Sequence, residues 1–143
     1  MAKVIRRATI NAPVDKVFSY LEDKRHLPEI WPSMVEVSNV ERLPNGGSKF
    51  HYKYKMAGLQ FEGDTDEIEH IRNRKIVHRD VSGIDRTVTW TFDQKGNTTD
   101  LTFEADYRVP KPVLQRVDER VAERLNANEA DTVLANLRAT LEG

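Results

Sequence analysis

The nine residues SKFHYKYKM (Ser48 to Met56) leave the chain few choices of fold. Phe50, Tyr52, Tyr54 and Met56 share one parity, and His51, Lys53 and Lys55 share the other. An extended backbone therefore puts every large apolar side chain on one face and every charge on the opposite one. The same period of two recurs in VTWTF, where Val88, Trp90 and Phe92 oppose Thr87, Thr89 and Thr91. It returns in LTFEADYRV, where Leu101, Phe103, Ala105 and Tyr107 oppose Thr102, Glu104, Asp106 and Arg108. Turn signals divide these runs at 45–47 (NGG), 57–58 (AG), 72–73 (RN), 82–83 (SG) and 95–97 (KGN). Six consecutive strands with tight connections predict an antiparallel meander, wet on one face and aromatic on the other.

Flanking segments supply the cover. Residues 3–10 read as a first strand. NAPVDKVFSYLED starts a helix, with Asn11 as candidate cap, Pro13 in the first turn and Asp15 at the positive helix end. Val14, Val17, Phe18 and Leu21 then form one buried stripe. A short second helix over roughly 24–31 ends at Pro32. In the last 30 residues Leu114, Val117, Val121 and Leu125 share one helical face, and Ala130, Leu134, Leu137 and Leu141 another. At about 100° per residue the two stripes lie about half a turn apart. Either this helix kinks near Asn126–Ala130 or its halves touch different things.

Charge and composition exclude several classes. Twenty-two Lys+Arg balance 23 Asp+Glu for a net charge of -1, so there is no electrostatic reason to expect nucleic acid or an anionic membrane as partner. The chain has no cysteine, which removes disulfides, thiolate nucleophiles and thiolate zinc sites. Its four histidines show no ligand spacing on a common face, so neither a metal nor a cofactor is expected. MAKVIRRATI is unlike a secretory leader and no apolar run reaches membrane-spanning length. The expectation is one cytoplasmic domain over residues 1–143.

The order β-α-α-β6-α, with the stretches INAPVDKVFSYLED, LPEIWPSMVEV, VSGIDRTVTWTF, LTFEADYRVP and NEADTVLANLRATLE, resembles the helix-grip proteins of the START/Bet v 1-like superfamily. The resemblance is to the polyketide cyclase/dehydrase and coenzyme-Q-binding branch. It implies an α+β fold in which a curved, seven-stranded antiparallel sheet wraps a long C-terminal helix around an internal cavity. It is not specific for an activity, because the fold carries many ligands.

Alternate loops of a meander lie at one end. Those at 57–58, 82–83 and 110–112 therefore join the 31–33 segment, and they are small or apolar, whereas the loops at 44–47, 71–75 and 95–98 are plainly polar. The apolar end is the expected mouth, with Trp31 beside it and Leu114 and Val117 as a lid. Turn geometry pairs Met56 with Leu59, Tyr54 with Phe61, Tyr52 with Gly63, Trp90 with Phe103 and Arg86 with Tyr107. The candidate ligand-binding set is thus Trp31, Tyr52, Tyr54, Met56, Phe61, Arg86, Trp90, Phe103, Tyr107, Leu114 and Val117; an ordinary aromatic core is the competing account.

Arg86 is the sharpest residue, because strand parity turns it inward and a buried guanidinium needs an acceptor. Tyr107, Glu67, Glu69 or His78 could supply one, or the side chain could anchor a ligand carbonyl, phenolate or carboxylate. A two-residue turn at Ser82-Gly83 would set Arg79 against Arg86 and turn His78 outward; a three-residue turn would set His78 against Arg86. Binding, transport or sensing of a hydrophobic small molecule leads the functional readings. An aromatase/cyclase-like enzyme comes second, since no general base is evident, and a protein-interaction module third.

Overall fold

The computed structural model describes residues 1–142. Its elements run β1 (Ala2–Ile10), α1 (Val14–Glu22), a 3-10 turn (Lys24–His26), α2 (Leu27–Ile30), β2 (Met34–Arg42), β3 (Ser48–Met56), β4 (Leu59–Ile71), β5 (Lys75–Asp80), β6 (Arg86–Lys95), β7 (Thr98–Tyr107), α3 (Lys111–Leu114) and α4 (Glu119–Glu142). One antiparallel sheet has the order β1-β7-β6-β5-β4-β3-β2, so β1 closes the meander by pairing with its last strand. The alternation in β3, β6 and β7 becomes alternation of burial: Phe50, Tyr52, Tyr54, Val88, Trp90, Phe92, Leu101, Phe103 and Tyr107 all face the core. Packed against them are Val14, Val17, Phe18 and Leu21 of α1 and Ala130, Val133, Leu134, Leu137 and Leu141 of α4. Burying each large side chain contributes about 1.5–3 kcal/mol.

The register read from the turns holds residue for residue in two hairpins. Met56 pairs with Leu59, Tyr54 with Phe61 and Tyr52 with Gly63; Phe92 pairs with Leu101, Trp90 with Phe103 and Arg86 with Tyr107. Two expectations are corrected and one open alternative is decided. The first helix is capped at Pro13 rather than Asn11, without a side-chain cap bond; the Asn11 amide donates to Glu142 Oε2 at 2.8 Å and so ties down the end of α4.

The β5–β6 connection is neither a two- nor a three-residue turn. Pairing ends at Arg79–Thr87, and residues 81–85 form a longer loop folded over β4. The Tyr52 hydroxyl orders it, donating to Ser82 O at 3.1 Å and accepting from the Ile84 amide at 2.8 Å. Gly63 permits this approach, since a Cβ there would stand 2.2 Å from Ser82 O.

The C-terminal helix does not kink at Asn126–Ala130. It runs unbroken from Glu119 to Glu142, and the break lies upstream, between α3 and α4. The two stripes do meet different surroundings, for Leu114, Val121 and Leu125 are exposed while Ala130, Leu134, Leu137 and Leu141 are buried.

β4 carries a bulge. Glu67 pairs with His78, but Glu69 pairs with Val77, leaving Ile68 as the extra, exposed residue. Thr65 and Glu67 point inward before it, and after it the inward parity passes to His70, opposite buried Ile76. Glu69 therefore faces out, where it pairs with Lys75 at 3.4 Å.

Candidate functional site

The inner face of the sheet holds two buried charged centres, one toward each end. At the end that carries the 57–58 and 81–85 loops, Arg86 opens β6 and Asp80 closes β5. Arg86 Nε lies 3.0 Å from Asp80 Oδ2, with both side chains almost fully buried. Thr65 donates to the second Asp80 oxygen at 2.8 Å. Burial pushes the Asp80 carboxyl above its usual value, against the pull of Arg86 and the Thr65 hydroxyl. The guanidinium carbon stands 4.6 Å from the Tyr54 ring centre, 5.2 Å from Tyr52 and 5.5 Å from Trp31, an aromatic cage that favours a cation. Nε alone is spent on Asp80; among the described residues neither Nη nitrogen has a hydrogen-bond acceptor.

A cavity of about 30 Å³ adjoins this centre, lined by Val4, Trp31, Tyr54, Met56, Ile84, Arg86, Phe103, Ala105, Tyr107, Asn126, Glu129 and Ala130. Only Asn126 and Glu129 in that set are not buried, so the cavity meets solvent beside α4. The Tyr107 hydroxyl is buried without a well-formed hydrogen bond, the nearby Asn126 amide being directed to Met56 Sδ instead, and burial, against the pull of Asn126, raises its pKa. The cavity thus presents a guanidinium edge and an unpaired phenol in a largely apolar wall, with the Asn126 amide and the Glu129 carboxylate on its α4 side.

Of the sequence candidates, Trp31, Tyr54, Met56, Arg86, Phe103 and Tyr107 come together here. Tyr52 and Trp90 are fully buried behind the wall, Phe61 is half-buried, Leu114 is exposed and Val117 packs on the core outside the cavity. Buried Val113 holds α3 instead of Leu114, and α4 contributes Asn126, Glu129 and Ala130 to the wall. The acceptor for Arg86 is Asp80, not Glu67, Glu69, His78 or Tyr107. An acidic residue six positions upstream was the available signal, hidden by the assumed tight turn.

The sequence brings Glu67 of the second centre forward only as a possible acceptor for Arg86, and gives no sign of Lys24. Lys24, from the 3-10 turn, and Glu67, from β4, form an ion pair with both side chains 0% exposed. Glu67 also meets His70 through Oε2 and lies 3.8 Å from His78 Nε2; His70 reaches Glu22 at 3.0 Å. The carboxylate fits because Gly47 has no side chain: a Cβ there would stand 2.2 Å from Glu67 Oε2. Among the described residues no cluster of His, Asp or Glu could hold a metal ion.

His78 lies between the centres, fully buried and without a hydrogen bond at Nε2. Burial, then the Lys24 and Arg86 charges, hold its pKa well below 6.5, so the folded protein keeps it neutral. The unfolded chain binds a proton near 6.5 that the native state refuses. Its contribution to stability is therefore complete above that pH and declines as pH falls below it, by up to about 1.4 kcal/mol per unit. Urea unfolding of wild type and His78→Gln at pH 7.5 and 5.5 should show a smaller pH difference for the variant; equal differences would refute the assignment.

Fold and cavity together define the class: a helix-grip domain whose interior offers a charged site under the C-terminal helix. A family model described as polyketide cyclase / dehydrase and lipid transport matches residues 1–142, and the chain belongs to that family. Among solved structures, a START superfamily protein from Mycobacterium smegmatis superposes with a TM-score of 0.82 at 16% identity, covering 98% of this chain and 97% of that one. The Zhui aromatase/cyclase from Streptomyces sp. R1128 gives 0.75 at 18% identity, covering 99% and 93%. The Aha1 dimer protein from Colwellia psychrerythraea gives 0.68 at 15%, covering 99% and 97%. No curated protein matches the chain in sequence. No helix among the described residues is long and apolar enough to cross a membrane.

Proposed function

We propose that the protein binds a hydrophobic small molecule carrying an oxygen-bearing end, received by Arg86 and Tyr107. The observation that carries this reading is the pair of groups on one cavity wall: Asp80 holds Arg86 Nε, no side-chain or backbone acceptor among the described residues meets its Nη nitrogens, and the Tyr107 hydroxyl beside them is buried without a hydrogen bond. A buried hydroxyl without a partner, as that of Tyr107 is, is costly unless something completes it. A carbonyl, phenolate or carboxylate would do so, while the apolar wall takes the rest of the molecule. The family description, with lipid transport and polyketide cyclisation in it, supports the same class of ligand.

Native mass spectrometry of the purified protein, with organic extraction, tests this directly. A co-purifying hydrophobic molecule should appear, and Arg86→Met should weaken its binding about 10- to 100-fold, the loss of one or two charge-assisted hydrogen bonds. Unchanged binding in a folded Arg86→Met protein would overturn the assignment.

The second reading is cyclase chemistry, favoured by one observation. Glu129 is the carboxylate lining the cavity, fixed by the Ser33 amide at 2.6 Å, and faces a site that also holds Arg86 and Tyr107. A base and two enolate-stabilising donors would then share one pocket. Turnover that disappears in Glu129→Gln while ligand binding persists would select the enzyme; binding without turnover selects the carrier.

A further inference from the structure

We propose that Trp31 is a displaceable plug: the indole occupies the place in the Arg86 pocket that a flat ligand takes, and it rotates out when one enters. The inference rests on the binding function proposed above and concerns how that site is gated.

The volume comes first. Pockets that enclose small molecules span roughly 300–1,000 Å³, whereas this cavity measures about 30 Å³, room for about two or three waters. A ligand cannot occupy it unless a wall residue moves. Ten of the lining residues are buried, and most belong to strands or to α4. Trp31 belongs to the short link between α2 and β2.

The contacts single it out. The indole lies 5.5 Å from the Arg86 guanidinium carbon. It meets Phe103 and Tyr54 edge-on at 5.5 and 6.0 Å between ring centres. Its Nε1–H donates to the Tyr54 hydroxyl at 3.1 Å. A ring over a guanidinium, two aromatic edges and one hydrogen bond make up the contact set of a bound planar molecule. Here the protein's own side chain fills it.

The backbone beneath the indole is fixed, so the movement is rotation of the side chain. The Trp31 amide donates to Leu27 O and its carbonyl accepts from Met34, at 2.9 Å each. Ser33 is held by Glu129 and through its carbonyl by Lys55, and Ile30 and Met34 are core residues on either side. One side-chain hydrogen bond restrains the ring. The way out is short, because Pro32 is exposed and Glu129, beside Ser33, marks the rim. Rotation would also free the Tyr54 hydroxyl and one face of Arg86 for the ligand.

Two measurements test the plug. Trp31→Ala should create a cavity that takes up indole, as engineered apolar cavities take up small aromatics, binding it at least about 10-fold tighter than wild type. A folded Trp31→Ala protein with no gain in indole binding overturns the proposal. If that variant does not fold, wild type labelled with 5-fluorotryptophan decides, its two fluorine signals assigned with Trp31→Phe. On titration with 2-naphthoate the Trp31 signal should shift and acquire a solvent isotope effect while that of Trp90 stays buried. Naphthoate bound with Trp31 still buried would overturn the plug and leave the pocket reading standing. No binding of naphthoate by wild type and of indole by Trp31→Ala would overturn both.

Discussion

Lys24→Met should lower the free energy of unfolding by about 3–5 kcal/mol, because it strands a carboxylate in a site with no solvent. Glu67 has no exposed side-chain surface, and Lys24 is its cationic partner. The ammonium has a second duty: it donates to Leu21 O at 3.2 Å, meeting one of the carbonyls left open at the end of α1. Glu67→Gln on the Lys24→Met background should recover most of the loss, since a neutral amide keeps the volume and some of the hydrogen bonding without the charge. A four-member urea-unfolding cycle measures the coupling. Simple additivity of the two substitutions would show that the pair does not act as one.

The Asp80–Arg86 pair should respond asymmetrically. Asp80→Ala leaves a guanidinium that cannot shed its proton, so a loss of about 3–5 kcal/mol is expected at every pH between 5 and 9. Arg86→Met leaves a carboxyl already pushed upward by burial, and losing the guanidinium pushes it further. A native pKa above the unfolded value stabilises fully below the unfolded value and loses that contribution as pH rises through the native one. The Arg86→Met deficit should therefore be small in mild acid and grow toward neutral pH. Chemical unfolding of both variants across that range reads the difference, and parallel pH profiles would refute it.

What could be read from the sequence follows the reach of the interactions. β3–β4 and β6–β7 were legible residue by residue because adjacent strands, a tight turn and strict alternation all agree. The β5–β6 register was not, because its loop is ordered from outside: the Tyr52 hydroxyl, about thirty residues away, takes the Ile84 amide and gives to Ser82. Asp80 was missed for the same reason. Lys24 was invisible because a lysine just past a helix, between Asp23 and Arg25, looks solvated; only Glu67, brought over by the fold, makes its burial tolerable. The facing of Glu67 and Glu69 could not be decided by counting, since the bulge changes the count between them. Trp31 lines the cavity, but its neighbouring prolines do not tell how the indole is packed there.

The bulge at Ile68 has a meaning for how this chain tolerates change in length. In even alternation Glu67 and His70 would lie on opposite sides of the sheet. One additional residue brings both to the same buried charge, so the electrical neutrality of that interior point depends on a phase shift rather than on any side chain at the shift itself. Ile68 is exposed and open to substitution by composition alone. Its removal would be a different event from its replacement: Glu67 and His70 would then stand two residues apart in plain alternation, both still inward and still opposite His78 and Ile76, whereas straightening the bulge with Ile68 kept would send His70 to solvent and Glu69 inward. At this position the sequence carries information in its spacing, which an inventory of residue types does not record.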